Sequence, residues 1–194
     1  MFARGTEGFF RNQNMEPIKN MDHLKELIRT IPNFPKPGIE FRDLTTLFLH
    51  PQGFQQAVDA ICSPYLNQGV DMVVGVESRG FILGAPVALG LKAGFVPVRK
   101  PGKLPGATLG VEYTLEYGAD RLEMHRDALQ PGMRVLMVDD LLATGGTMEA
   151  ACHLVEQVGC QITGCAFLVE LVDLQGRKRI NGHAIHSLVE FQGE

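Results

Sequence analysis

The chain has 194 residues, 45% of them hydrophobic and 21% charged, which suits one globular domain able to bury about 70% of the surface its unfolded form exposes. A formal charge of −4 argues against a basic face for nucleic acid, and the longest apolar stretch, residues 80–91, is far short of the ~20 residues of a membrane-spanning helix. The four cysteines (Cys62, Cys152, Cys160 and Cys165) form no Cys-x-x-Cys pair and no zinc spacing with histidine, so reduced thiols and a cytoplasmic location are expected, with neither nucleic acid nor membrane as a partner.

Residues 1–20 carry no helical period and no signal-peptide core, and read as an N-terminal extension ahead of a single domain over 21–194. Leu24, Leu27, Ile28 and Ile31 recur at helical spacing, which predicts a helix stopping at Pro32. Residues 32–38 (PNFPKPG) form a rigid loop, and Pro51 opens a second helix through Phe54, Val58 and Ile61. Residues 71–76 (DMVVGV) are a short apolar run of the kind a buried parallel strand shows, followed by a helix over 80–91 and a strand over 95–98. A further strand is predicted over 133–138 (MRVLMV), a helix over 146–158, and strands over 165–171 and 185–189. This alternation predicts an α/β fold, a mostly parallel central sheet flanked by helices. Residues 108–125 interrupt it with a period-two pattern around a Tyr-Gly-Ala-Asp turn (117–120), which predicts a projecting antiparallel ribbon.

The strongest chemical signal is residues 135–147, VLMVDDLLATGGT. A buried strand ends in Asp139 and Asp140, and Gly145, Gly146 and Thr147 open a helix. Ligands bind beyond the carboxyl ends of strands in an open parallel sheet, and a helix start presents unpaired N–H groups and positive dipole to a phosphate. The glycines admit close approach to the backbone, and the Thr144 and Thr147 hydroxyls add donors. Carboxylates repel phosphate but suit hydroxyls, so the segment asks for a sugar phosphate, with acids on a ribose diol and amides on the 5′-phosphate. A capped strand-to-helix turn is the bland alternative.

This segment resembles the phosphoribosyl-pyrophosphate loop of the type I phosphoribosyltransferases, and the form VDDLLATGGT is similar to that of the members acting on adenine; the resemblance runs over about residues 22–192. It implies that Asp139 and Asp140 hold the ribose hydroxyls and that Ala143, Thr144, Gly145, Gly146 and Thr147 hold the 5′-phosphate.

Residues 75–80 (GVESRG) have the glycine spacing of a Walker loop, but Phe81 and Ile82 stand where Lys and Ser/Thr are needed, and the spacing around Ser78 also fails a nucleophile elbow. In the resembled family this turn is the pyrophosphate loop, with a cis bond expected at Glu77–Ser78 and with Ser78 and Arg79 against pyrophosphate and purine. Arg99, Lys100 and Lys103 crowd three cations into five residues directly after a predicted strand. A solvated loop is one reading of them, and contact with a polyanion the other, which the resemblance favours.

Residues 34–43 (FPKPGIEFRD) read locally as a stiff turn with Phe41 in the core. The resemblance makes them a small N-terminal hood: Phe41 stacks on adenine, the backbone of Glu40 and Arg42 reads its edge, and Leu141 packs on its other face. It also implies that Glu116, beside Tyr117 on the ribbon, exchanges a proton with the purine, that Arg79 and Lys103 assist the leaving group, and that Mg²⁺ is held mainly by substrate oxygens and water. The implied reaction joins adenine to phosphoribosyl pyrophosphate, giving AMP and pyrophosphate, in a homodimer. A phosphoribosyltransferase for another base, a phosphoribosyl-pyrophosphate-sensing regulator and a non-catalytic nucleotide-binding subunit are the rival readings.

Overall fold

Residues 21–115 and 118–192 are described by a computed structural model, in which a short 3-10 helix, Asp22–Leu27, comes first. Ile28 then turns extended, and Arg29–Pro32 (β1) pairs antiparallel with Glu40–Asp43 (β2), placing Ile31 opposite Phe41. The expected helix up to Pro32 is therefore overturned beyond Leu27. Leu24 and Ile28 still reach the core, and the backbone ahead of Pro32 finds its hydrogen bonds in the hairpin. This hairpin is the hood.

Thr45–Phe48 (α1) and Pro51–Cys62 (α2) follow; α2 begins with Pro51, and the His50 ring accepts from the Gly53 N–H at 3.0 Å. The chain then alternates through Met72–Val76 (β3), Arg79–Leu91 (α3) and Gly94–Val98 (β4). Next come Thr108–Leu115 (β5), Gly118–His125 (β6), Arg134–Leu142 (β7), Gly146–Gln157 (α4), Gln161–Leu171 (β8) and Ile185–Phe191 (β9). Five strands form one parallel sheet in the order β4-β3-β7-β8-β9.

Both faces of this sheet are covered, which is why its strands are continuous apolar runs. In β7, Leu136 and Val138 join the core beneath α2 and α3 (Val58, Ile61, Leu83, Val87), while Val135 and Met137 join the core beneath α4 (Met148, Ala151, Leu154, Val155). The cysteines are free thiols, all buried except the half-buried Cys160.

The ribbon is β5 with β6, in register from Thr108 opposite His125 to Leu115 opposite Gly118. Its turn is therefore displaced from the expected 117–120: Gly118, Ala119 and Asp120 are strand, because eight matched pairs leave only 116–117 as the connection. Leu122 and Met124 anchor the ribbon in the core beneath α4.

Candidate active site

Strands β4, β3 and β7 are adjacent and parallel, so the turns at their carboxyl ends lie side by side on one edge. The turn after β7 carries the residues that the sequence reading assigned to a phosphate. Gly145, at φ 83°, is the N-cap of α4 and no side chain caps the helix, so the first-turn N–H groups face the loop. Leu141, Ala143, Thr144, Gly146 and Thr147 line a shallow cavity of about 80 Å³ there, together with Asp139. A larger cavity of about 140 Å³ lies among Glu149, His153, Glu156, Arg179 and His183, where both signs of charge mingle and no predicted site residue contributes.

β7 continues as strand through both acids to Leu142, four residues beyond the predicted end. Asp140 is 6% exposed, and its Oδ2 accepts from Arg79 Nε at 2.5 Å. The Asp139 carboxylate accepts from the Asp140 N–H at 2.9 Å. Burial, and then the charge of Asp140, pushes the Asp139 carboxyl well above the usual carboxylate range. Gly80 brings α3 against this pair: a Cβ there would lie 2.7 Å from Asp139 Oδ1.

The Glu77–Ser78 bond is cis, as expected, and Ser78 stands at the N-cap of α3 without using its side chain as a cap. The Glu77 N–H donates to the Val98 carbonyl, joining this turn to the end of β4. Glu77 also accepts from Arg99 Nε at 2.9 Å and from the Lys100 N–H at 3.2 Å. Burial alone would raise its pKa, but these donors hold it below the ordinary value. Arg99 Nη1 donates to the Lys103 carbonyl, so the cation loop closes on itself beside the Glu77–Ser78 turn. Lys100 Nζ is bound to Asp120 of the ribbon, which also accepts from Tyr113 at 3.3 Å. Reciprocal backbone bonds between Arg99 and Glu123 fix the ribbon's base to β4.

The hood reaches the same edge through Arg79, whose guanidinium lies 5.6 Å from the Phe41 ring centre. Phe41 is only half-buried and meets the half-exposed Phe34 edge-on, which overturns the local reading of Phe41 as a core residue. The Arg42 side chain is directed to Thr30, to Glu40 and to the face of the Phe191 ring.

The structure thus brings together Phe41, Arg79, the Arg99–Lys103 loop and residues 139–147; Glu116 and Tyr117 lie outside the described residues. Sequence reasoning missed Glu77, Gly80, Tyr113 and Asp120. Glu77 left little signal, because the cations it meets lie more than twenty positions on and only the fold brings them together, whereas Asp120 was hidden in what read as a turn.

Residues 48–191 match the phosphoribosyl transferase domain family. The chain is 56% identical over 168 residues to the adenine phosphoribosyltransferase of Chloroflexus aurantiacus, spanning 87% of this chain and 97% of that one. The solved adenine phosphoribosyltransferase of Rhodothermus marinus is 53% identical with a TM-score of 0.84, over 88% of this chain and 97% of that one. That of Saccharomyces cerevisiae, complexed with an imino-altritol bisphosphate and adenine, is 40% identical with a TM-score of 0.81, over 87% and 97%. With paired acids ahead of an uncapped helix start, a cation loop and an aromatic hood on one sheet edge, the chain belongs to the phosphoribosyltransferase family, among its adenine phosphoribosyltransferases.

Proposed function

We propose that the three turns and the hood divide the work of a purine-salvage reaction, in which the phosphoribosyl group of phosphoribosyl pyrophosphate passes to adenine, leaving AMP and releasing pyrophosphate. The observation that carries the reading is the pairing of two acids at the end of β7 with an uncapped helix start five residues on, a donor-and-acceptor pattern that fits a ribose diol and a 5′-monoester together. Asp139 and Asp140 hold the hydroxyls, and the backbone and hydroxyls of residues 143–147 hold the phosphate. Ser78, Arg79, Lys100 and Lys103 receive the pyrophosphate, with Arg99 placing their loop. Phe41 and Leu141 sandwich the base, and the backbone of Glu40 and Arg42 reads its edge.

Displacement at C1 of the ribose through an oxocarbenium-like transition state needs no covalent enzyme group. Alignment of the two substrates supplies up to ~7–11 kcal/mol, and cations at the leaving group add to this. Glu116 exchanges the purine proton, and closure of the ribbon tip, with Tyr117, keeps water from the activated sugar.

Among the described residues, no group of three or more His, Cys, Asp or Glu side chains is placed to hold a metal. Asp139 and Asp140 are hard oxygen donors at this turn and would face a Mg²⁺ carried mainly by substrate oxygens. When bound, the ion neutralises charge on the pyrophosphate. A homodimer in the cytoplasm completes the reading; no helix of the described residues is long and apolar enough to cross a membrane. The test is pyrophosphate release with Mg²⁺ and phosphoribosyl pyrophosphate, each nucleobase offered separately. Adenine alone should give strong release, and an equal response to hypoxanthine or a pyrimidine would reject the assignment.

A further inference from the structure

The loop over residues 143–147 leans on a segment that carries none of the chemistry. A Cβ on Gly176 would lie 2.2 Å from the Ala143 carbonyl oxygen and 3.1 Å from the Gly145 nitrogen, and a Cβ on Gly145 would lie 2.5 Å from the Gly176 carbonyl oxygen. The two backbones therefore touch, with the Leu142 side chain packed against the same point, its Cδ1 2.8 Å from the Gly176 Cβ position. The supporting segment consists of two 3-10 turns, Val172–Leu174 and Gly176–Lys178, joined through Gln175 at φ 52°. Turns this short have little hydrogen bonding of their own to hold them in place.

Arg177 supplies the anchorage. Its Nε donates to both carboxylate oxygens of Glu170, at 2.6 and 2.8 Å, and its Nη2 donates to Glu170 Oε2 at 2.6 Å and to Ser187 Oγ at 3.3 Å. Nη1 donates to the Ile185 carbonyl, and Ser187 Oγ donates to Glu170 Oε2 at 2.7 Å. Glu170 is 3% exposed in β8, between β7 and β9. A carboxylate buried in a sheet is costly unless paired, so the pair fixes where residues 176–178 sit. Two residues further on, Arg179 Nε donates to Glu149 of α4 at 2.9 Å, so the segment grips the helix as well as the loop.

We infer that Arg177 is a positioning residue for the 5′-phosphate: clamped to Glu170, Ser187 and Ile185, it seats Gly176 against the backbone of Ala143–Gly145 and sets the spacing of the phosphate-binding amides. The inference rests on residues 143–147 being the phosphate loop.

The experiment pairs Arg177→Met with Glu170→Gln, which leaves no unpaired ion buried, and compares Arg177→Lys, which keeps the charge but loses the planar fork. On the full chain it measures KM for phosphoribosyl pyrophosphate and for adenine, inhibition by ribose 5-phosphate and by pyrophosphate, and Tm. The double variant should raise KM for phosphoribosyl pyrophosphate and Ki for ribose 5-phosphate roughly 10- to 100-fold, as ångström-scale misplacement of a binding loop does, with the adenine KM and pyrophosphate Ki within about twofold. Arg177→Lys should recover part of the loss. Uniform weakening of every ligand, or no weakening, overturns the inference. Should the double variant fail to fold, Gly176→Ala pushes on Ala143 without touching the ion pair, and the same pattern and the same overturning results apply to it. Thr147→Ala is the reference. Unchanged ribose 5-phosphate inhibition there sinks the phosphate-loop reading itself, whereas a loss there with none in the Arg177 variants sinks only the positioning role.

Discussion

Gly80→Ala sets two physical effects against each other. Gly80 lies in the first turn of α3 at an ordinary helical φ, so propensity alone favours alanine by about 0.5–1 kcal/mol. Sterics oppose it. The new Cβ would stand 2.7 Å from Asp139 Oδ1 where ordinary contact begins at 3.4 Å, so the carboxylate must yield by 0.7 Å. The Val138 carbonyl at 3.2 Å and Asp139 Cα at 3.3 Å are backbone, which keeps the helix from absorbing the clash. A shift of that size can stretch the 2.9 Å bond to the Asp140 N–H beyond hydrogen-bonding range and move the acid off the hydroxyls it is proposed to hold. A hydrogen bond to a charged group contributes about 1.5–3 kcal/mol, so KM for phosphoribosyl pyrophosphate should rise about 10- to 150-fold. Steady-state kinetics with each substrate varied in turn, alongside thermal unfolding, check this. The expected result is a weakened sugar-phosphate site in a protein whose Tm falls by only a few degrees, the helix propensity offsetting part of the lost bond. A KM within about twofold of the parent would refute the packing argument.

Three further predictions follow the same logic. Glu116→Gln should cut kcat while leaving KM for phosphoribosyl pyrophosphate nearly unchanged; unaltered turnover removes Glu116 from the chemistry. Asp139 binds its proton more tightly folded than unfolded, so it costs stability as pH rises above the ordinary 3.8, and the cost is complete above its raised folded pKa. Asp139→Asn should therefore raise Tm near neutral pH, by about 2–4 °C for each kcal/mol recovered, while turnover collapses, and a Tm equal to or below the parent's contradicts the burial argument. Asp43 shows the opposite sign: Thr45, then Arg29, hold it down to about 2, so its contribution is present above pH 3.8 and lost as pH falls through about 2. Asp43→Asn should cost up to about 2 kcal/mol at neutral pH and progressively less below pH 3.8, read from urea midpoints across that range.

The sheet was legible because a strand buried on both faces must be apolar throughout: residues 72–76, 134–138 and 165–171 announce themselves by composition. The turn from β7 into α4 was legible because a double glycine after an apolar strand and two acids marks a break before a helix. Residues 24–32 misled because Leu24 and Ile28 meet the core from either side of a helix end, so helical spacing survives where the helix does not. The strand character of Asp139–Leu142 was hidden, since polar residues at a strand's end break the apolar signal while backbone pairing with β8 goes on. Glu170 did leave a trace, a charge within an otherwise apolar run, and Gly176–Arg177 soon after it, but only the folded chain shows that they meet.

The adjacency of β4, β3 and β7 also bears on how the enzyme acquires its site. Parallel neighbours are joined only by long crossovers, so the three turns, close in space, belong to passes of the chain made at widely separated times during synthesis. No contiguous fragment ending before Thr147 holds them all, and the residues of β8, β9 and the turns between them that brace the loop after β7 are made later still. A substrate that bridges the turns then acts as a rivet across three independent passes, and its binding energy is added to the cohesion of the sheet edge as a whole.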